Sequence, residues 1–248
     1  MKIAVINFSG NVGKTTVARH LLLPRIPAAE LIAVESVNAD ADAETAQTLR
    51  GRQFGALQQY LQTIDSAVID IGASNAEEFL TLMKAYCGSH EDFDCFVVPT
   101  VPSIKQQKDT IATLIELSRF GIPPQRLKLV FNMAQPGVPI KESFYLVLAF
   151  LAQQRLAQEN TACRLYTSDI YGLARDSNTD IGTLALDQTD YKRLIRDSDD
   201  SEEKLALALK LAARRLAIGA VPALDACFAA LGLDELADAD TAPAVHYS

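Results

Sequence analysis

Residues 3–16 of the chain read IAVINFSGNVGKTT, and this stretch decides the fold. An apolar run suited to a buried strand leads into two glycines, a lysine and two threonines, which open a helical pattern. Gly10 and Gly13 allow backbone N–H groups to turn inward around an anion, at the positive end of the helix dipole. Lys14 adds a positive charge, and Thr15 offers a hydroxyl to a magnesium ion. The phosphate-binding loop predicted from this pattern comprises Ser9, Gly10, Asn11, Val12, Gly13, Lys14, Thr15 and Thr16.

The loop departs from the strict pattern G-x-x-x-x-G-K-[ST] at one position. Gly13, Lys14 and Thr15 match, but Phe8 stands where the first glycine is expected. Shorter versions of this motif also occur in ordinary Gly-rich turns between a strand and a helix. A strand before the loop and a helix after it favour nucleotide binding over that alternative.

Composition and charge exclude several classes of protein. The chain has 248 residues, 49% of them hydrophobic, and carries a net charge of −8. It contains no uninterrupted apolar run of about 18 residues or more, and no signal peptide is recognised, so we expect a cytoplasmic protein without a membrane partner. The negative charge argues against a general polyanion-binding protein. Four scattered cysteines offer no metal-ligand spacing.

The remaining pattern alternates strands with helices. Apolar runs at residues 31–34, 67–73, 93–99, 127–131 and 163–166 predict further strands. We therefore predict a doubly wound α/β domain, with a mostly parallel sheet flanked by helices, over residues 1–218, followed by a C-terminal helical extension over 219–248. One helix is expected over 139–157, and two separate helices over 202–218 and 222–236. The polar residues 168–200 are expected to form partner contacts or a flexible lid.

Acidic residues follow two of the predicted strands. Asp70 ends an apolar strand and is followed closely by Gly72, as required to hold magnesium across from Thr15. The alternative is a capping aspartate before the next helix. Glu35, at the end of the second strand, faces either the ligand or a solvated turn.

Two further features concern recognition. Asn132 follows the fifth strand, where its amide could read an adenine edge or could cap a turn. The helix over 202–218 carries four cations, which form either a solvated helix face or a small phosphate-binding patch: Lys204, Lys210, Arg214 and Arg215.

The loop, Asp70 and Asn132 together resemble the ParA/MinD family of P-loop ATPases, and more closely its StbB-like plasmid stability proteins. The family loop Lys-Gly-Gly-x-Gly-Lys-Thr corresponds to residues 9–15. The family's Walker B aspartate falls on Asp70, and its adenine-side asparagine falls on Asn132. The resemblance spans residues 1–218 and implies ATP and Mg²⁺ as ligands.

Two departures from the family pattern bear on mechanism. Ser9 replaces a lysine that in the family reaches across a nucleotide-sandwiched dimer to the partner's phosphates. Where the family usually has Asp-x-Asp-Pro after the second strand, residues 35–38 read ESVN. The second acid, tied to water activation, is therefore missing unless Asp40 substitutes. We expect either slow hydrolysis or a protein that acts mainly as a nucleotide-dependent binding switch.

The resemblance implies a cycle in which two subunits close on ATP, and hydrolysis to ADP and phosphate reopens them. Lys14 is expected to neutralise the β- and γ-phosphates, and Glu35 or Asp40 to orient water. The ATP-bound homodimer would engage a DNA-bound adaptor protein or DNA itself, and so position or maintain plasmid DNA. Two alternatives stay open: a metabolic enzyme of the dethiobiotin-synthetase type, and a nucleotide-binding adaptor that does not hydrolyse.

Overall fold

The computed structural model describes residues 1–34 and 53–233. Six strands form its sheet: β1 Lys2–Val5, β2 Glu30–Val34, β3 Ala67–Ile71, β4 Cys95–Thr100, β5 Leu127–Ala134 and β6 Arg164–Tyr166. Helix α1 begins at Lys14–Thr16, continues in π geometry over Val17–Leu22 and ends in a 3-10 turn, Leu23–Arg25. The other helices are α2 (described over residues 53–61), α3 Ala73–Ala85, α4 Ile104–Ser118, α5 Ile140–Ser143, α6 Tyr145–Gln154, α7 Ile170–Asp176, α8 Ile181–Leu186, α9 Tyr191–Asp197 and α10 Ser201–Leu231.

The strand order places β1 at the centre of the sheet. The six strands run in the order β2-β3-β1-β4-β5-β6, and the neighbouring strands pair in parallel. Val5 lies opposite Asp70, so the loop that leaves β1 and the aspartate near the end of β3 reach the same edge of the sheet. This edge, at the carboxyl ends of the strands, is where open α/β sheets bind ligands.

Two apolar cores cover the two faces of the sheet, because side chains alternate along each strand. In β1, Ala4 belongs to the core that contains residues of α3, α4 and α6. Ile3 and Val5 belong to the other core, with residues of α1, α7, α8 and α10. Helices on both faces of a parallel sheet make the fold doubly wound, as predicted.

The prediction of one continuous helix over residues 139–157 is wrong, because the helix is interrupted at Phe144, between α5 and α6. Phe144 has φ −118° and ψ 27°, and its ring packs edge-on against Phe131 with centroids 5.1 Å apart. Gln107 of α4 satisfies the backbone at the break: its Nε2 donates to Ser143 O at 2.9 Å, and its Oε1 accepts from Val147 N at 3.2 Å. The buried ring and this glutamine together stabilise a bend that propensity alone does not show.

Helices occupy most of the C-terminal half, and a role of residues 168–200 in partner contacts or as a lid stays a prediction. Residues 168–200 contain α7, α8 and α9, with aspartate side chains capping α8 at Asp180 and α9 at Asp190. Instead of two helices separated before Pro222, α10 is one helix that contains this proline. Proline removes one helical hydrogen bond, but buried Ala217 and Leu224 lie on either side of it, and their packing keeps the helix continuous.

The predicted division between residues 218 and 219 falls inside α10, and residues 234–248 lie outside the described part of the chain. The division therefore stays a prediction. Among the helices of residues 1–34 and 53–233, none combines the length and apolar character needed to cross a bilayer.

Candidate nucleotide-binding site

The phosphate loop turns sharply just before α1. Gly13 has φ +84°, and a Cβ atom placed on it would lie 2.1 Å from Asn132 Nδ2. Any other residue would therefore combine backbone strain with a collision, and glycine is required at this position. Asn11 also has a positive φ, +58°. The left-handed backbone conformation of these two residues reverses the direction of the loop.

Backbone N–H groups of the loop are available to an anion. The N–H groups from Gly10 to Gly13 have no hydrogen-bond acceptor among residues 1–34 and 53–233. Successive N–H groups in such a turn, ahead of a helix N-terminus, form a concave site for a phosphate. The N–H of Ser9, by contrast, donates to Asn7 Oδ1 at 2.8 Å.

Lys14 is buried beneath this loop, with 8% of its surface exposed. Its Nζ donates to Ser9 O at 2.7 Å and to Asn7 O at 3.1 Å. Burial lowers the pKa of Lys14 to about 8, and the negative charge of Asp70 offsets part of that effect. The desolvation of the Lys14 ammonium is only partly offset by Asp70. The negative charge of an incoming phosphate would therefore stabilise the protonated lysine further.

Thr15 and Asp70 meet directly, as the sequence predicted for a magnesium site. Thr15 Oγ1 donates to Asp70 Oδ2 at 2.7 Å. Mg²⁺ in nucleotide sites usually takes one or two protein oxygens, with waters and phosphates completing its octahedron, so a hydroxyl and a carboxylate in contact fit this ion. Across the described ranges, no cluster of three or more His, Cys, Asp or Glu side chains offers an independent metal site. The capping alternative for Asp70 gains no support, because the N-cap position of α3 is Gly72.

Asn132 contacts the phosphate loop. It lies within β5, and its Nδ2 donates to Val12 O at 2.9 Å. Its Oδ1 accepts from Met133 N at 2.9 Å within the same strand, so the cap that the alternative interpretation expected stays untested. A role in reading adenine stays a prediction.

The other predicted loop and acidic residues are placed as follows. Ser9 is buried, and Thr16 lies in the first turn of α1 close to Gly13. Glu35 and Asp40 lie outside the described residues. The water-orienting role predicted for one of these two acids therefore stays a prediction.

The four cations of α10 do not share one environment. Lys210 and Arg215 are exposed, whereas Lys204 and Arg214 are half-buried. Arg214 Nη1 donates to Thr189 O at 2.6 Å and to Asp187 O at 3.2 Å, and its guanidinium lies 5.3 Å from the centre of the Tyr191 ring. Arg214 therefore fastens the connection between α8 and α9 to α10.

Sequence reasoning missed the residues that hold the loop from behind. Asn7 Nδ2 donates to Pro99 O at 2.9 Å and to Thr110 Oγ1 at 2.8 Å, and Phe8 N donates to Thr113 Oγ1 at 3.1 Å. Asn7, Thr110 and Thr113 are fully buried. Two threonines spaced i, i+3 inside the apolar face of α4 were the available signal, because buried hydroxyls need partners.

Comparisons with known proteins agree with the fold. A scan against protein-family models gives no match, and a search of curated proteins gives none either. The apo structure of McdA from Cyanothece is similar with a TM-score of 0.51 and 13% identity, over 85% of this chain and 98% of that chain. An ATP complex of a McdA point variant gives 0.48 and 14% identity, over 88% and 96%. At such low identity the likeness to apo McdA shows the fold alone, a parallel six-stranded sheet flanked by helices.

Proposed function

We propose that this chain binds ATP with magnesium and acts as an ATP-dependent switch of the ParA/MinD type. One observation carries the proposal: a buried lysine, a hydroxyl–carboxylate contact and a turn whose N–H groups have no acceptor among the described residues come together at one loop. Lys14 lies 2.7 Å from Ser9 O, and Thr15 Oγ1 lies 2.7 Å from Asp70 Oδ2. Together they supply a cation and N–H donors for the phosphates and two oxygen ligands for the metal.

Lys14 would exchange its carbonyl partners for phosphate oxygens when a nucleotide enters. The carbonyls of Asn7 and Ser9 only partly satisfy the ammonium, since burial still lowers its pKa to about 8. Thr15 and Asp70 would hold Mg²⁺, which when bound neutralises charge on the phosphates. Gly13 keeps the backbone close enough for its N–H to reach the same oxygens.

Hydrolysis would be slow in this proposal. Glu35 or Asp40 would orient the attacking water, but residues 35–38 read ESVN instead of the Asp-x-Asp-Pro usual in the family it resembles. Lys14 would stabilise the charge that develops on the phosphoryl oxygens. The ATP-bound state would therefore persist long enough to act as a signal.

Closure of two copies over the nucleotide is supported by apolar side chains around the loop. Ile104 follows the carboxyl end of β4, and Val138 and Tyr145 follow that of β5. All three are exposed, Tyr145 by 55%. Exposed apolar groups at the ligand edge favour burial against a second copy. Ser9 cannot supply the cross-dimer cation of the family, so dimerisation would depend on these contacts.

Plasmid DNA is the proposed cargo, in line with the resemblance to StbB-like stability proteins. A DNA-bound adaptor is favoured over direct contact, because the net charge is −8 and Arg214 is already engaged within the fold. The ATP-bound dimer would then hold or position the adaptor and its DNA.

The test is a titration with a non-hydrolysable ATP analogue and magnesium, combined with sedimentation of the ADP-bound and analogue-bound protein. We expect micromolar binding, a dimer only with the analogue, and weaker binding by about tenfold or more in Asp70→Ala. The matched control is Asp65→Ala, an acid outside the loop.

Turnover of ATP in the same samples separates the alternatives. A metabolic enzyme would show negligible turnover without its own substrate, and a non-hydrolysing adaptor would show none in a single-turnover assay. Absence of analogue binding by the wild-type protein would refute the proposed function.

A further inference from the structure

A buried asparagine just before the phosphate loop makes two hydrogen bonds with residues of the loop. Asn7 has 0% of its surface exposed and follows β1 directly. Its Oδ1 accepts from Ser9 N at 2.8 Å, and its backbone oxygen accepts from Lys14 Nζ at 3.1 Å. One residue therefore contacts both the start of the loop and its cation.

The opposite side of Asn7 is fixed to the sheet and to α4. Its Nδ2 donates to Pro99 O at 2.9 Å and to Thr110 Oγ1 at 2.8 Å. Thr110 Oγ1 in turn lies 2.7 Å from Gln106 O within α4. All hydrogen-bonding atoms of the Asn7 side chain are used, so the side chain has one orientation.

A second contact from α4 holds the next residue of the loop. Phe8 N donates to Thr113 Oγ1 at 3.1 Å, one helical turn after Thr110. Two consecutive residues at the start of the loop are thus fixed by one face of a long helix. Phe8, which occupies the position of the missing first glycine, is accommodated by this contact.

From these contacts we infer that Asn7 is a positioning residue for phosphate binding, acting with Thr110 and Thr113. They fix the backbone at residues 7–9, so the Ser9 carbonyl and Lys14 are placed before a nucleotide arrives. A preorganised site spends less of its binding free energy on ordering the loop. The inference rests on the proposed function, since it concerns the same site.

Gln107 provides a matched control on the same helix. It is also 0% exposed, and it makes three hydrogen bonds, to Pro102 O, Ser143 O and Val147 N. Its partners lie in the β4–α4 connection and at the α5–α6 break, and none of them is a residue of the phosphate loop. A purely structural role for Asn7 would make Asn7→Ala and Gln107→Ala equivalent.

The experiment measures two quantities on each variant: the midpoint of urea unfolding, and Kd for a fluorescent non-hydrolysable ATP analogue with magnesium, titrated at low temperature on folded protein. We expect both variants to lower the unfolding midpoint. Asn7→Ala should also weaken binding by about tenfold or more, whereas Gln107→Ala should stay within about twofold of wild type.

Milder variants keep the test decisive if Asn7→Ala does not fold. Thr110→Val and Thr113→Val each remove one contact with residues 7–8, together with hydrogen bonds inside the fold, at little change in volume, and we expect about threefold weaker binding from each. Equal Kd values for wild type and the variants at Asn7, Thr110 and Thr113 would overturn the inference while leaving the proposed function intact. A wild-type protein that does not bind the analogue would instead refute the proposed function, and the inference with it.

Discussion

Two cations in this molecule, Lys14 and Arg214, make similar contacts in different places. Each donates to two backbone carbonyls: Lys14 to those of Asn7 and Ser9, and Arg214 to those of Asp187 and Thr189. Lys14 lies under a loop in which the N–H groups of residues 10–13 have no acceptor within the described part of the chain. Arg214 lies over a tyrosine ring and joins two helices.

The two cations differ in their surroundings and not in their charge, and the surroundings are the reason we expect only Lys14 to bind a ligand. The carbonyls around Lys14 leave its pKa lowered by burial, so the ammonium gains when an anion arrives. The contacts of Arg214 include the face of Tyr191 and two carbonyls on Nη1, so an anion at this guanidinium would compete with contacts that the fold already makes. The phosphate patch that the sequence suggested for Arg214 stays a prediction.

Replacing each cation by methionine should affect different quantities: ATP affinity for Lys14 and the free energy of unfolding for Arg214. Lys14→Met removes the phosphate contact, so we expect ATP affinity to fall on the order of 100-fold, with unfolding free energy unchanged or raised because a desolvated charge is lost. Arg214→Met should leave Kd unchanged and lower the free energy of unfolding by about 1–3 kcal/mol, through lost hydrogen bonds and ring stacking. Isothermal titration and urea unfolding of both variants measure the two effects. A large loss of affinity in Arg214→Met would break the comparison.

The pH dependence of binding should distinguish the two cations more finely. With its pKa near 8 in the nucleotide-free protein, Lys14 loses its proton above that pH, while bound phosphates favour the protonated form. ATP affinity should therefore fall between pH 8 and pH 9.5, by at most about tenfold per pH unit. Arginine stays charged over this range, so Lys14→Arg should flatten the profile if it still binds. An unchanged slope in that variant would assign the titration to another group.

The lowered pKa of Lys14 also makes the stability of the nucleotide-free protein depend on pH. The unfolded chain holds the Lys14 proton up to its ordinary pKa of 10.5, and the folded chain only up to about 8. Between these values the unfolded state binds more protons, so this residue makes stability rise with pH. Lys14→Met should remove that contribution from urea unfolding curves measured at pH 8 and pH 10.

The smallest effect is expected from the exposed cations of α10. Lys210 and Arg215 are five residues apart, so they point roughly 140° away from each other and form no single stripe. We expect Lys210→Glu and Arg215→Glu to change DNA retention by less than about twofold. Filter binding at several salt concentrations measures this, with the adaptor absent and present. A drop in the salt dependence of binding by about one counterion per variant would instead establish direct phosphate contacts.

The sequence was sufficient for the parts of the site that lie on single strands and turns. Lys14 and Thr15 follow from a local motif, and Asp70 follows from an apolar strand that ends in an acid; the Thr15–Asp70 contact confirms their proximity. Their roles with nucleotide and metal remain predictions. Parallel topology then places the two segments at one edge.

The contacts behind the loop could not be predicted in the same way. Asn7 and Thr110 are 103 residues apart, and neither has a local pattern that names its partner. The continuity of α10 through Pro222 was missed for a related reason, since tertiary packing overrides a local helix breaker. Propensity describes neighbours along the chain, whereas these features depend on neighbours in space.

The central place of β1 in the sheet has a consequence for how the protein is made. β1 is synthesised before both of its sheet neighbours, because it pairs with residues 67–70 on one side and 95–97 on the other. Until both partners have been synthesised, its N–H and C=O groups lack their sheet neighbours, and contacts this distant in sequence form slowly. The hydrogen bonds of Asn7 Nδ2 likewise cannot form until Pro99 and Thr110 have been synthesised. A nascent chain that ends before Thr110 would thus contain the whole phosphate-loop motif without the contacts that fix Asn7.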